Sequence, residues 1–239
     1  MTLLSIANDV ADETKGPRPA TIVGNTSPDA QNILRVINRV GINLMRAYGW
    51  NVLRKEQTFT SVSGEEQTGA LPSDFDRFVP ETFWDRDSNN LMSGPVSPVE
   101  WAGLKVQTFS SQNKKFTHRG GSIFTQPELG AGVNMAFEYI SKNWCQDSSS
   151  TAQAKFAADD DTAIIDEDLI TYGAIFEWLD AEGQPSARAA RAYEKYFNLL
   201  VDNERATADI LVSGDVFAQN TRHFEGAPKP SRASYGGDF

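Results

Sequence analysis

Across residues 27–49 apolar side chains return every three or four positions, at Ile33, Val36, Ile37, Val40, Leu44 and Tyr48, a spacing that only a helix puts on one face. Ser27, Pro28 and Asp29 supply a start signal: a capping hydroxyl, a proline at the first helical position and an acid in the first turn. Gly49 supplies a stop. About twenty residues of helix, roughly 30 Å at 1.5 Å per residue, must therefore bury one stripe against something else.

Three further segments supply partners. Leu3, Ile6 and Val10 share a face that ends at Gly16 and Pro17. From the N-cap Asp166 to Gly183 the stripe reads Leu169, Tyr172, Phe176 and Leu179. After Ser186 it reads Ala189, Tyr193, Tyr196, Phe197, Leu200 and Leu211, ending near Val212. Each segment has one apolar and one charged face, which predicts a mainly α fold built on a helical bundle of about four helices. No continuous apolar face is left over, so the free chain is expected to be a monomer or a weak oligomer.

The helical period stops at Trp50 and resumes at Asp166. Between them, β-rich runs at 52–62, 116–118, 122–125 and 133–140 alternate with Ser/Gly, Gly-Gly and Gly-Ala-Gly clusters. Within this stretch Ser97-Pro98-Val99-Glu100 is a capping box, predicting a short helix through Trp101 and Leu104. The expected organisation is a bundle from 1–50 and 158–212, with an inserted β-rich subdomain at 51–157. Residues 213–239 are rich in Gly, Ser and Pro and have no period. They carry Phe217, Phe224, Tyr235 and Phe239 among Arg222, Lys229 and Arg232. Such a segment is expected to be a flexible, extended C-terminal arm that orders on a partner, a frayed terminus being the plainer reading.

Composition narrows the function. A chain of 239 residues buries roughly 70 to 75% of its unfolded surface, enough for a core without staples. Hydrophobic residues at 40% and charged residues at 23% are ordinary globular values. No stretch reaches the ~18 to 20 apolar residues of a bilayer span. The first residues lack a basic region and a small-residue cleavage site, so the host cytoplasm is the expected place of synthesis, with no membrane partner. Cys145 is the only cysteine, which excludes an internal disulfide, and it is expected to be a partly buried small side chain. A net charge of −10 opposes nucleic-acid binding, which rests on neutralised phosphates. The same charge suits the wall of a channel through which DNA slides.

Catalytic patterns are sparse. His118 and His223 lack catalytic neighbours, and no G-x-S-x-G, HExxH or phosphate-loop motif occurs. The acids Asp159, Asp160, Asp161, Asp166, Glu167 and Asp168 lack the alternation and glycine of a calcium loop. Their expected role is electrostatic support of the helix starting near Asp166, worth ~0.3 to 1 kcal/mol per charge, so that losing Asp159 to Asp161 costs little. Phe75, Phe78, Phe83, Trp84 and Trp101 are expected to anchor the β-rich part rather than to stack on bases or sugars. No catalytic, cofactor-binding or metal residue is assigned. The enzyme alternative is a cell-wall glycosidase using paired carboxylates, for which 32 acids offer many pairs by chance.

Three segments carry a resemblance: LPSDFDRFVPETFWDRDSNNLMSGPVSPVEW from Leu71, FEYISKNW from Phe137 and KFAADDDTAIIDEDL from Lys155. Together they resemble the phage head-to-tail adaptor family that includes tail tubular protein A-like proteins. The likeness covers about residues 3–200, and Leu-Pro-x-Asp-Phe with the downstream Trp-Asp-Arg and Ser-Pro-x-Glu-Trp is its most specific part. The resemblance implies a structural, non-enzymatic virion protein of the neck, assembled in the host cytoplasm without a cofactor. It also implies a twelve-subunit ring of neighbouring adaptor subunits. The implied partners are the portal protein, reached by a C-terminal arm, and a tail nozzle or tail tube protein on the opposite face, with translocating DNA passing unbound. Placing portal contact on Phe217, Arg222, Phe224, Lys229, Arg232, Tyr235 and Phe239 rests on their chemistry, because the arm matches no motif.

Overall fold

The computed structural model describes residues 1–106 and 114–212, with side chains up to residue 205. Met1–Tyr196 forms one compact unit, and a second unit begins at Phe197. The first contains, in chain order, α1 (Leu3–Glu13), α2 (Pro28–Ala47), β1 (Arg54–Thr60), β2 (Gly64–Gln67), β3 (Phe75–Phe78), β4 (Trp84–Asp85), β5 (Asn90–Leu91) and α3 (Pro98–Val106). It continues through β6 (Lys115–Arg119), β7 (Ser122–Leu129), β8 (Asn134–Ser141), β9 (Cys145–Gln146), β10 (Ala152–Gln153), β11 (Thr162–Ala163) and α4 (Glu167–Ala181). The last helix, α5 (Ala187–Val212), begins in the first unit and runs into the second. A helical core with an inserted β-rich part is thus the architecture, with five helices and three sheets among the described residues.

The helix ends follow their sequence signals with one variation. Thr2 Oγ1 accepts the Ser5 amide at the start of α1, and Asp166 Oδ1 accepts the Leu169 amide at 2.9 Å at the start of α4. Ser97 Oγ accepts the Glu100 amide, completing half of the capping box, while the Glu100 carboxylate pairs with Lys115 at 2.6 Å. Ser27 occupies the N-cap of α2 without a side-chain bond to the helix, and Pro28 fixes that start instead.

Helix α2 packs against α1 and α4, burying Ile33, Val36, Ile37, Val40 and Leu44 with Leu3, Ile6 and Val10 of α1. On α4 the buried face is Leu169, Ile170, Gly173, Ala174 and Ile175, whereas Tyr172 remains 40% exposed. The aromatic stripe expected at Tyr172 and Phe176 lies on the flank that meets the start of α5, Tyr172 edge-on to Tyr196 and Phe176 stacked on Tyr193. A helix covered on two sides is apolar nearly all round, so a one-stripe reading selects the wrong flank as its core face.

Strand β8 is the centre of the β-rich part. Its five-stranded sheet pairs β1 along one edge of β8 and β3, then β4, along the other, with β5 outside β4. A second sheet runs β2-β7-β6. Phe83, Met135, Phe137 and Tyr139 from the first and Phe116, Ile123 and Leu129 from the second share one buried cluster. That cluster is built largely from rings meeting edge to face, among them Phe83 and Phe116 at 4.7 Å and Phe78 and Phe116 at 5.1 Å. The small sheet β10-β9-β11 reaches the helices directly, through a bridge between Thr2 and Thr162 and through the buried Trp144 beside β9.

Candidate functional site

The segments that carry the family likeness are hydrogen-bonded into the frame. Asp74, in Leu71-Pro72-Ser73-Asp74-Phe75, stands directly before β3 and is held by side chains of β8 and β1. Its Oδ1 accepts from Tyr139 Oη at 2.9 Å, and its Oδ2 from Ser141 Oγ and Lys55 Nζ, both at 2.8 Å. Its own carbonyl receives the Lys142 amide. Burial alone would push the Asp74 carboxyl up, but these three donors outweigh it and hold the group below its ordinary range. Burial and the same bond drive the Tyr139 phenol up to about 12. Phe75 and Phe78, next in the segment, enter the aromatic cluster, each edge-on to His118.

Arg77 ties the segment to the helices. Its Nη2 donates to the carbonyls of Tyr48 at 2.6 Å and Met45 at 3.2 Å, filling acceptors that the end of α2 leaves open. In Trp84-Asp85-Arg86, the buried Asp85 accepts the amides of Asp87 and Ser88 and pairs with Lys114. Despite its burial, those bonds hold the carboxyl down at about 2. Arg86 pairs with Glu56 across the sheet.

The acidic run requires a correction. Asp161 is buried, and its Oδ2 accepts the amides of Ala157 at 2.6 Å and Ala158 at 2.9 Å. Asp159 accepts the amides of Val23 at 2.7 Å and Ile22 at 3.1 Å, while the Asp161 and Asp159 carbonyls receive Leu3 and Leu4. These carboxylates knot the start of α1, the loop before α2 and the approach to β11 together. Only Asp166 bonds directly to the α4 terminus, as its cap. The expectation that losing Asp159 to Asp161 costs little does not fit two carboxylates satisfying four backbone donors.

Chemistry of other kinds finds little purchase. Among the described residues no three His, Cys, Asp or Glu side chains gather to hold a metal ion. Among the described residues, every carboxyl with a displaced titration, Asp12, Asp74 and Asp85, is displaced downward, the opposite of what a glycosidase general acid requires. Cys145 is fully buried, donates to the Gln153 carbonyl and has its thiol pushed up to about 12 by burial and by Asp161. Two surface depressions, of about 410 Å³ beside Arg86 and about 350 Å³ beside Trp101, are open and bring no acid pair together.

The residues expected to contact a portal, Phe217, Arg222, Phe224, Lys229, Arg232, Tyr235 and Phe239, lie outside the described residues, as does His223. Sequence reasoning missed the structural work of Asp159, Asp161, Arg77 and Gly41. The aspartates stood in a run that looked uniform, and the other two meet partners remote in the chain.

A family model described as SU10 adaptor protein matches residues 1–218. None of the curated proteins matches the chain. The match takes in all the described residues and every segment of the earlier likeness, so the chain belongs to the SU10 adaptor protein family, a family of structural phage head-to-tail adaptors.

Proposed function

We propose that this adaptor assembles as a ring, twelve-fold as the resemblance to head-to-tail adaptors implies, beneath the portal protein in the neck of the virion. One ring face meets the portal and the other a tail nozzle or tail tube protein. DNA passes through the centre without sequence-specific binding, a role that the net charge of −10 favours. In this proposal residues 1–50 and 158–212 form the scaffold, 51–157 the inserted part and 213–239 the portal-seeking arm. Assembly takes place in the host cytoplasm. The observation that carries the reading is the family match across 1–218. It is supported by a signature segment whose Asp74 and Arg77 are spent on the frame rather than on a substrate.

The arm supplies four aromatic rings and three cations over 27 residues, outside every helical stripe. Burying one ring in a partner yields about 1.5 to 3 kcal/mol, set against the entropy of ordering, and repetition around a ring multiplies a small gain. The test is occupancy on portal-bearing heads that lack the adaptor. Ending the chain after Ser213, or substituting Phe217→Ser with Phe224→Ser, is expected to reduce occupancy sharply and leave the melting temperature near wild type. Wild-type occupancy by the truncated chain would remove the arm from portal docking.

A further inference from the structure

Helix α2 has a basic outward face. Its outward positions, Asn32, Arg35, Arg39, Asn43 and Arg46, are all exposed and follow one another at three and four, so they form a single face about 21 Å long. Its one acid, Asp29, lies in the first turn. Arg39 is matched by Glu177 of α4, which also reaches Asn43. Arg35 touches only Asn32, and Arg46 has no ion pair or hydrogen bond among the described residues. Among the described residues, two guanidinium groups thus stand without a carboxylate partner on one face of a chain of net charge −10.

Acids without a cationic partner stand on other elements, around the start of α4. Among the described residues Asp160 and Asp168 are exposed and make no ion pair, with the exposed N-cap Asp166 between them in sequence. The N-terminal end of α1 adjoins this segment, since Leu4 donates to Asp159 and Thr2 bridges to Thr162.

We propose that the Asn/Arg face of α2 docks on a second copy of this chain, against the acidic edge made by residues 160–168 beside the start of α1. The proposal rests on the adaptor-ring reading and deepens it by naming the two halves of the subunit contact. Surfaces of opposite sign at different places on one chain make a head-to-tail contact, which propagates and closes into a ring, whereas a two-fold dimer would bring each surface against itself. Guanidinium groups suit such a contact because they hold carboxylates with two parallel hydrogen bonds. Complementary charge of this kind fixes register and rejects a wrongly turned neighbour. DNA is the less favoured occupant, because two free arginines per copy must act against ten net negative charges.

The test measures subunit occupancy on portal-bearing heads, with melting temperatures recorded for every variant. Arg35→Glu with Arg46→Glu is expected to lower occupancy roughly tenfold or more by facing acid with acid, and Asp160→Lys with Asp168→Lys to do the same. A chain carrying all four changes restores the opposition of charge and is expected to recover most of the wild-type occupancy. Arg188→Glu with Lys195→Glu, a reversal on the exposed start of α5, is the control and is expected to leave occupancy unchanged. Loss in either reversed pair without recovery in the four-fold variant overturns the proposal, and so does equal loss in the control. DNA retained by wild type in low salt and released by the α2 reversal, again without recovery in the four-fold variant, assigns the face to nucleic acid instead. If wild type itself fails to bind heads, the adaptor-ring reading falls and this contact with it. If wild type binds and both reversed pairs bind equally well, only the contact falls.

Discussion

Gly41 of α2 lies so close to Trp144 that a β-carbon at position 41 would stand 2.3 Å from Cη2 of the indole. The ring has no room to retreat. It is fully buried, donates from Nε1 to the Ala154 carbonyl at 2.7 Å and meets Phe156 edge-on at 4.9 Å. Phe156 in turn donates its amide to Asn38 Oδ1, one turn before Gly41. The end of the β-rich insertion is thereby locked into a notch that a single missing side chain creates on the first long helix.

Gly41→Ala is therefore expected to destabilise the chain by about 3 kcal/mol, the upper range for overpacking. Gly173→Ala is expected to cost less, because its β-carbon would meet Val40 Cγ1 at 2.7 Å and Tyr193 Cε2 at 3.0 Å, side-chain atoms with some freedom to move. Gly103→Ala, exposed on α3 with nothing within 4 Å, is expected to stabilise by about 0.5 to 1 kcal/mol. Thermal or urea melting of the three variants checks the order, and an unharmed Gly41→Ala contradicts the notch.

The acidic run should divide by position. Asp161→Ala leaves two backbone amides without their acceptor in a buried site and is expected to cost about 2 to 3 kcal/mol. Asp159→Ala strips the amides of Ile22 and Val23 in a half-buried site and is expected to cost about 1 to 2 kcal/mol. Asp160→Ala, exposed and unbonded, should stay within about 0.5 kcal/mol of wild type. Calcium should not alter any of the three melting curves. A calcium-dependent rise lost in one variant would contradict the structural role.

These roles show why the sequence is legible in some places and opaque in others. The core face of α2 can be read directly because it is buried on one side only, and Ile33, Val36, Ile37, Val40 and Leu44 alternate cleanly with Asn32, Arg35 and Arg39. Helix α4 misleads because its two flanks have different partners, so Tyr172 and Phe176 match the period as well as Ile170 and Ala174 do. The function of Asp159 depends on amides 136 and 137 positions away, and no local pattern encodes such a distance. Gly41 carries no mark in the chain, since its meaning lies wholly in the indole opposite. Asp74 was visible as part of a family signature, but its reason, three donors from the neighbouring strands β8 and β1, appears only in the fold.

Stability should fall in acid through Asp85 in particular. Its folded carboxyl titrates at about 2, below the ordinary value of 3.8, so protons bind the unfolded chain more readily. The contribution is present in full above pH 3.8 and is lost as pH falls through about 2. It amounts to about 2 kcal/mol at neutral pH. Lys114→Met removes the paired ammonium and is expected to narrow the difference in stability between pH 6 and pH 2.5. An unchanged pH profile in that variant would show that Lys114 is not the group holding Asp85 down.

Cys145 should be inert while the chain is folded. Burial and the nearby Asp161 keep the thiol up to about 12, and the thiolate is the reactive species. Mass spectrometry after exposure to a thiol reagent at pH 8 is expected to find no adduct in the native protein and one in denaturant. Rapid native labelling would contradict the packing of β9 against β10.

The central claim, that the chain joins head to tail, is tested most directly by assembling the phage without it. Particles made in its absence are expected to separate into complete heads and complete, unattached tails, which join when the purified protein is added back. Tailed particles of normal appearance formed without the chain would contradict the account.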